Sequence, residues 1–226
     1  MKKLNVLIGG EVSQKICNEF RVLGHNAFSN DLNETYGSHP GWHIIGDMLD
    51  VSNGGKFTTQ CGHIVTIKNW DLAIFHPDCK YTCWSAEWAY GDGPYHQKVK
   101  PGTLVGKERR IARKQAVEFL NKLWECNVEA ICIEQSLSHY LEREWKKSTQ
   151  TIHPYHFGDP FKKSTSLWMR GLKPLIPTNI TWNRYPAAHR MTPSDKRSQK
   201  RAETYPGIAK AIAFQFSNQL LLTNNL

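Results

Sequence analysis

The sequence predicts an α/β fold in which a mainly parallel sheet carries helices on both faces. Three observations lead there. Short apolar runs recur at residues 4–8, 71–75 and 130–133. Segments with helical spacing separate them. Glycine, aspartate or glutamate closes several of these runs, as expected where strands open into loops. The chain has 226 residues, 40% of them hydrophobic and 22% charged, which excludes a disordered or fibrous protein. That length suits one core, so residues 1–226 read as a single domain with loop insertions.

The first strand is Leu4 to Ile8, followed by Gly9-Gly10. Val12, Ile16, Phe20 and Leu23 then lay one stripe along a helix that stops at Gly24. Ala27 to Ser29 is a second strand ending at Asn30-Asp31, which completes a βαβ opening. Residues 33–43 form a loop, and Ile44-Ile45 end a third strand before Gly46-Asp47. Threonines and branched residues around Gly62 predict a surface hairpin within 53–69. Asp71 to Phe75 is a buried strand that runs into His76-Pro77-Asp78-Cys79. Residues 84–106 form a long loop rich in Trp, Tyr, Gly and Pro. The strongest helix spans 107–126, with Ile111, Ala112, Ala116, Phe119, Leu120 and Leu123 as its apolar face. Lys107, Arg109, Arg110, Arg113 and Lys114 read as its polar face. Ala130 to Ile133 is a strand ending at Glu134, and 137–147 is helical. A polar loop from His153 to Thr165 precedes a strand at Leu167 to Met169. Residues 170–204 are basic and Pro-rich, and Pro206-Gly207 opens a last helix.

The formal net charge of +9 points to an anionic partner, with nucleic acid the leading class. No stretch approaches the roughly 20 apolar residues that span a bilayer, and the N-terminal segment reads as a strand and not a signal peptide. Six cysteines without a disulfide-scaffold pattern fit a reducing cytoplasm, with Cys17, Cys126 and Cys132 on apolar positions. Cys61, His63, His76, Cys79 and Cys83 share one stretch, but no C-x-x-C pair is present and no metal site is expected.

Gly9-Gly10, Asp31, Asp47, Cys79 and Glu134 each follow a strand, and open parallel sheets bind ligands outside the carboxyl ends of their strands. A bare glycine pair between strand and helix allows close approach of a ligand, and equally a tight turn. Asp31, 21 residues after Gly10, suits a carboxylate on ribose hydroxyls, or a turn. Cys79 is a candidate nucleophile, which attacks only as thiolate. A carboxyl such as Glu134, beside a buried run, can be kept neutral and used as an acid.

Taken in order, four motifs resemble the cytosine-C5 DNA methyltransferase family, and more closely a small phage-encoded branch of it. They are VLIGGEVS at 6–13, HPDC at 76–79, EQS at 134–136 and HPYHFGDPFKKSTSL at 153–167. The branch carries VLIACEESG, HPPC, ENP and QPYQFGHPxxKKTCLWL in the same places, and the match continues to TYPGIAKAIA near the C-terminus. The resemblance implies a Rossmann-like methyltransferase sheet that binds S-adenosylmethionine. Gly9, Gly10 and Glu11 would face the cofactor, Asp31 its ribose and Asp47 its adenine. Cys79 would add to C6 of cytosine, Glu134 would contact N3, and Lys163 falls near a base-contacting position. The expected reaction is methyl transfer to C5 of cytosine in DNA or in a pyrimidine nucleotide, through a covalent cysteine adduct.

The chain departs from this pattern at three places. Asp78 replaces proline and disfavours a neighbouring thiolate. Gln135 replaces asparagine, and the cofactor loop is reduced to Ile8-Gly9-Gly10. A catalytically weak, methyltransferase-derived protein that binds nucleic acid or counters a host defence is therefore an alternative, as is an enzyme of the same fold modifying a free pyrimidine nucleotide. Residues 170–204 occupy the place of a target-recognition domain. Arg184, Arg190, Lys196, Arg197, Lys200 and Arg201 there, with Trp182 and Tyr185, form a candidate nucleic-acid surface.

Overall fold

The computed structural model describes residues 2–186, 192 and 197–223. Five parallel strands form its spine: β1 (Asn5–Gly9), β2 (Asn26–Asp31), β3 (His43–Ile45), β6 (Leu72–Phe75) and β7 (Ala130–Ser136). Two further strands complete a seven-stranded sheet, β8 (Gln150–Ile152) and β9 (Thr165–Arg170), in the order β3-β2-β1-β6-β7-β9-β8. β9 runs antiparallel to both of its neighbours, so the sheet is mixed at one edge only. The hairpin expected around Gly62 is β4 (Gly55–Thr58) and β5 (Ile64–Ile67), a separate antiparallel pair.

Strand periodicity divides the core between two faces. Val6 and Ile8 of β1, Leu72 and Ile74 of β6, and Ala130 and Cys132 of β7 point to one side. There they meet Ile16, Cys17 and Phe20 of α1 (Lys15–Val22), with Ile208, Ile212 and Phe216 of the C-terminal helix Pro206–Thr223. Leu7, Ala73, Phe75, Ile131 and Ile133 point to the other side. They pack on Val51 of α2 (Met48–Ser52), Leu120 and Leu123 of α3 (Gly106–Glu125), and Leu141 of α4 (His139–Glu144). Helices thus cover both faces, as the near-continuous apolar strands require. Among the described residues, α4 is followed by the α-helices α5 (Arg197–Ala202) and α6 (Pro206–Thr223). Among the described residues no helix is long and apolar enough to cross a membrane.

α3 corrects its predicted face. Ile111 is 49% exposed, whereas Arg109 and Arg113 are buried with Leu120 and Leu123. The two guanidiniums are buried because the loop after β6 is fastened to them. Arg109 donates to the Lys80 and Leu104 carbonyls at 2.8 and 3.2 Å. Arg113 donates to the Tyr81 carbonyl at 3.1 Å and to Glu87 at 2.5 Å, and lies over the Tyr90 and Tyr140 rings. These carbonyl, carboxylate and ring contacts offset most of the cost of burying the two charges, although the Arg109 Nε has no hydrogen-bond partner.

The basic region after β9 is fastened as well. Gln150, Gln215 and Gln219 each clamp a backbone position, at Leu175, Ile176 and Lys173 respectively. Beyond it, α6 begins against the 153–161 loop. A Cβ on Gly207 would lie 1.9 Å from the Phe157 carbonyl oxygen, so the contact admits only glycine.

Candidate active site at the carboxyl edge of the sheet

Gly9, Asp31 and the loop that leads to Cys79 lie along one edge because β1, β2 and β6 all end there, with Glu134 two residues before the end of β7. At its centre is a pair that the sequence did not reveal. His76, just past β6, lies 2.5 Å from Glu134 of β7 through Nδ1 and Oε2, with side chains only 14% and 18% exposed. Burial alone would raise the Glu134 pKa, but the His76 charge and hydrogen bond, with Lys163 further away, hold it down to about 2. Burial opposes protonation of His76, yet Glu134 and Glu11 lift its pKa above the usual value. The pairing therefore favours the ionised form of Glu134 and the protonated form of His76. The expectation of a neutral acid is overturned by that partner.

Glu11 is also corrected. It does not face outward toward a cofactor but is 4% exposed. Its two oxygens accept the amides of Ile16 and Cys17 at 2.6 and 3.2 Å, in the first turn of α1, where unpaired amides favour a carboxylate. Burial nevertheless raises its pKa to about 7, against the opposing pull of His76 and those amides. The folded state thus favours neutral Glu11, and stability falls as pH rises from 4.5 through about 7. Glu11→Gln is expected to match the wild type near pH 4.5 and to exceed it by up to about 3 kcal/mol near pH 8. Denaturant titrations at both pH values check this; equal pH slopes in the two proteins would refute it.

Cys79 faces Ser136 of β7, with Sγ and Oγ 3.5 Å apart. Gln135 fixes the loop, donating to the Pro77 carbonyl at 2.6 Å and accepting from Thr82 at 2.7 Å. The hydrogen bond with the Cys83 thiol and burial push the Cys79 thiol well above its ordinary pKa. Ser136 offsets part of this, and the Asp78 charge adds to the rise. The resting sulfur is a thiol and not a thiolate.

The glycine pair serves the packing of the chain. Gly10 has φ +79°, and a Cβ there would sit 2.4 Å from the His76 carbonyl oxygen. The Gly10 and Glu11 amides both donate to the Asn30 carbonyl, so they are not turned toward a ligand. Gly9 is likewise crowded by Phe75 and Met48. Asp31 receives the backbone and side-chain nitrogens of Asn33, both on Oδ1 at 2.9 and 2.8 Å. Asp47 is the exposed N-cap of α2, accepting from the Leu49 amide at 2.8 Å. Both aspartates are turn or cap residues in which one oxygen carries the structural bond.

Lys163 lies beside Glu134 in a narrow slot that also involves Thr165, Tyr205 and Ile208, and its Nζ donates to the Arg201 carbonyl at 3.0 Å. Arg184 is exposed, with its guanidinium 4.3 Å from the Tyr155 ring centre. Lys200 and Arg201 are exposed on α5. Arg190 and Lys196 lie outside the described residues, and Arg197 is placed only as part of the α5 backbone. Among the described residues no group of three or more His, Cys, Asp or Glu is arranged around a metal. The fold and site define an α/β protein with a charged pocket at the carboxyl edge of its sheet. No protein-family model matches the chain, and no curated protein matches it.

Proposed function

We propose that the chain is an S-adenosylmethionine-dependent methyltransferase acting on C5 of cytosine in nucleic acid or a nucleotide. The observation that carries this reading is that the end of β7 carries both Ser136, which the Cys79 sulfur faces, and Glu134, which pairs with His76 and shares a slot with Lys163. Strand order supports it. Counted within the large sheet, the strands run 3-2-1-4-5-7-6 with the seventh reversed, a mostly parallel α/β sheet compatible with a Rossmann-like fold.

Asp31 fits a ribose, because Oδ2 is left for a hydroxyl after Oδ1 has closed its turn. Asp47 flanks the same end. The glycine pair does not fit as a cradle, so the hold on the cofactor rests on the aspartates. When bound, the cofactor supplies the methyl group. The chain's own residues do the rest. His76 and Glu134 share one dissociable proton between them and titrate as a unit. Once Cys79 has lost its Sγ proton to solvent, the sulfur can bond to C6 while a pyrimidine N3 placed at Glu134 receives the pair's proton, relayed from His76. The electron pair of the C5–C6 double bond then becomes available at C5. Calorimetry is expected to show S-adenosylmethionine binding in the micromolar range or tighter, weakened by Asp31→Ala. Absence of heat at high protein concentration would exclude this reading.

One observation favours a second reading, a methyltransferase-derived binding protein with little or no turnover. The Cys79 thiol is held protonated, and its recorded sulfur contacts are to Ser136 and Cys83, neither of which is a cation. Such a protein would bind nucleic acid but form no adduct.

A further inference from the structure

The basic segment after β9 carries an aromatic surface whose backbone is fixed. Thr178 and Asn179 donate to the His156 carbonyl at 3.2 and 3.3 Å, and Thr181 donates to the Tyr155 carbonyl at 2.9 Å. Tyr185 is tied at both ends, accepting from the Lys162 amide at 2.9 Å and donating to the Pro160 carbonyl at 3.0 Å. Held this way, the segment leaves Trp182 87% exposed and Tyr185 58% exposed. A tryptophan so uncovered gives up the burial that such a large ring normally gains. A fixed backbone holds it out, so the exposure is not the accident of a loose loop. Arg184 stands between the two rings in sequence and lies over Tyr155, and exposed Lys162 sits alongside. Lys163 of the active site is the next residue.

We propose that this surface is a landing platform for unpaired nucleotides of a single-stranded nucleic acid. Bases stack on Trp182 and Tyr185, Arg184 and Lys162 take phosphates, and the strand leads over Lys162 toward Lys163. The chemistry selects this partner over a duplex. Stacking on an aromatic ring needs an open base face, and every base has one when unpaired. In a duplex those faces are covered by neighbouring bases, so the rings would meet only sugar and phosphate. Reading a duplex takes a helix or ribbon in the major groove. Among the described residues of this region there is only an extended segment and a six-residue helix. The proposal rests on the proposed function only for what happens beyond Lys163, because the platform itself needs no cofactor.

The test is fluorescence anisotropy with a labelled single strand of about 12 nucleotides, in DNA and RNA forms, against the DNA duplex of the same sequence. It is run without S-adenosylmethionine. Either single strand is expected to bind at least about tenfold tighter than the duplex, and the tighter form identifies the sugar. Trp182→Ala should weaken single-strand binding by about tenfold, Trp182→Phe by much less, and Arg184→Ala should lower the salt dependence by about one charge. Trp182 packs on little, so the variants are expected to keep the wild-type circular dichroism. Equal affinity for duplex and single strand, or wild-type affinity in Trp182→Ala, would overturn the platform. If the platform fails while adduct formation persists, the methyl-transfer reading stands; if it binds while no cofactor binds, only that reading falls.

Discussion

His76→Asn is expected to lower stability by about 3–5 kcal/mol at neutral pH, and a second change, Glu134→Gln, is expected to restore most of the loss. The reason is the asymmetry of buried charge. Asn cannot carry the positive charge that now sits 2.5 Å from Glu134, so the carboxylate is left mostly buried with only the more distant Lys163 as a counter-charge. Glu11 loses the same cation, and its carboxyl is already raised by burial to about 7. Removing both members of the pair leaves polar but uncharged groups, which cost far less to bury. The pH profile follows from the directions of the shifts. The raised His76 pKa contributes stability fully present below the ordinary 6.5 and lost as pH rises through the folded value. The depressed Glu134 pKa contributes stability present above the ordinary 4.5 and lost as pH falls toward about 2. The pair therefore stabilises most between those two ordinary values. Denaturant titration of the wild type, both single variants and the double variant measures the coupling. A His76→Asn protein as stable as the wild type, or a double variant no better than His76→Asn, would show that the pair carries no such energy.

That pair also marks where sequence reading stops. The strands of the parallel spine were legible because apolar runs buried on two faces stand out against helical spacing. The loop at Cys79 was legible for the same reason, whereas β7 runs past the expected end at Glu134 to Ser136, because β9 pairs with it there. But His76 and Glu134 are 58 positions apart, and only the adjacency of β6 and β7 brings them together. No local pattern reports it. The reversal of β9 was equally hidden, since a strand's residues do not declare its direction, and β8 is three residues long. On α3, the amphipathic rule placed arginines outward and Ile111 inward. Tyr81, Tyr90, Tyr140 and several backbone carbonyls gather around Arg109 and Arg113 and reverse that placement. The i, i+4 spacing of those two arginines, facing a loop rich in tyrosine, was the available signal. Asp31 and Asp47 show the opposite limit. Their positions were read correctly, but the turn and cap bonds they make are as good a reason for an aspartate there as any ligand.

Cys79→Ser is expected to abolish covalent capture of an oligonucleotide carrying 5-fluorocytosine, and to lower any methyl transfer on the order of a thousandfold or more. The two side chains are nearly isosteric, and the serine hydroxyl can keep the contact to Ser136, so the fold should be retained. What changes is the nucleophile. A hydroxyl is a far weaker attacking group than sulfur at neutral pH, and neither His76, engaged by Glu134, nor Ser136 offers it a free base. The wild-type rate should itself be limited by the small thiolate fraction that Cys83, burial and Asp78 impose, and should climb with pH through the alkaline range. Asp78→Asn removes the like charge and should speed alkylation of Cys79 a few-fold at low salt, with the gain shrinking as salt screens it. If capture occurs in the wild type and persists in Cys79→Ser, sulfur addition at this residue is wrong. If neither protein is captured while both bind the single strand equally, the buried, protonated thiol has decided the matter in favour of binding without turnover, and the His76–Glu134 pair is then a structural clamp between β6 and β7.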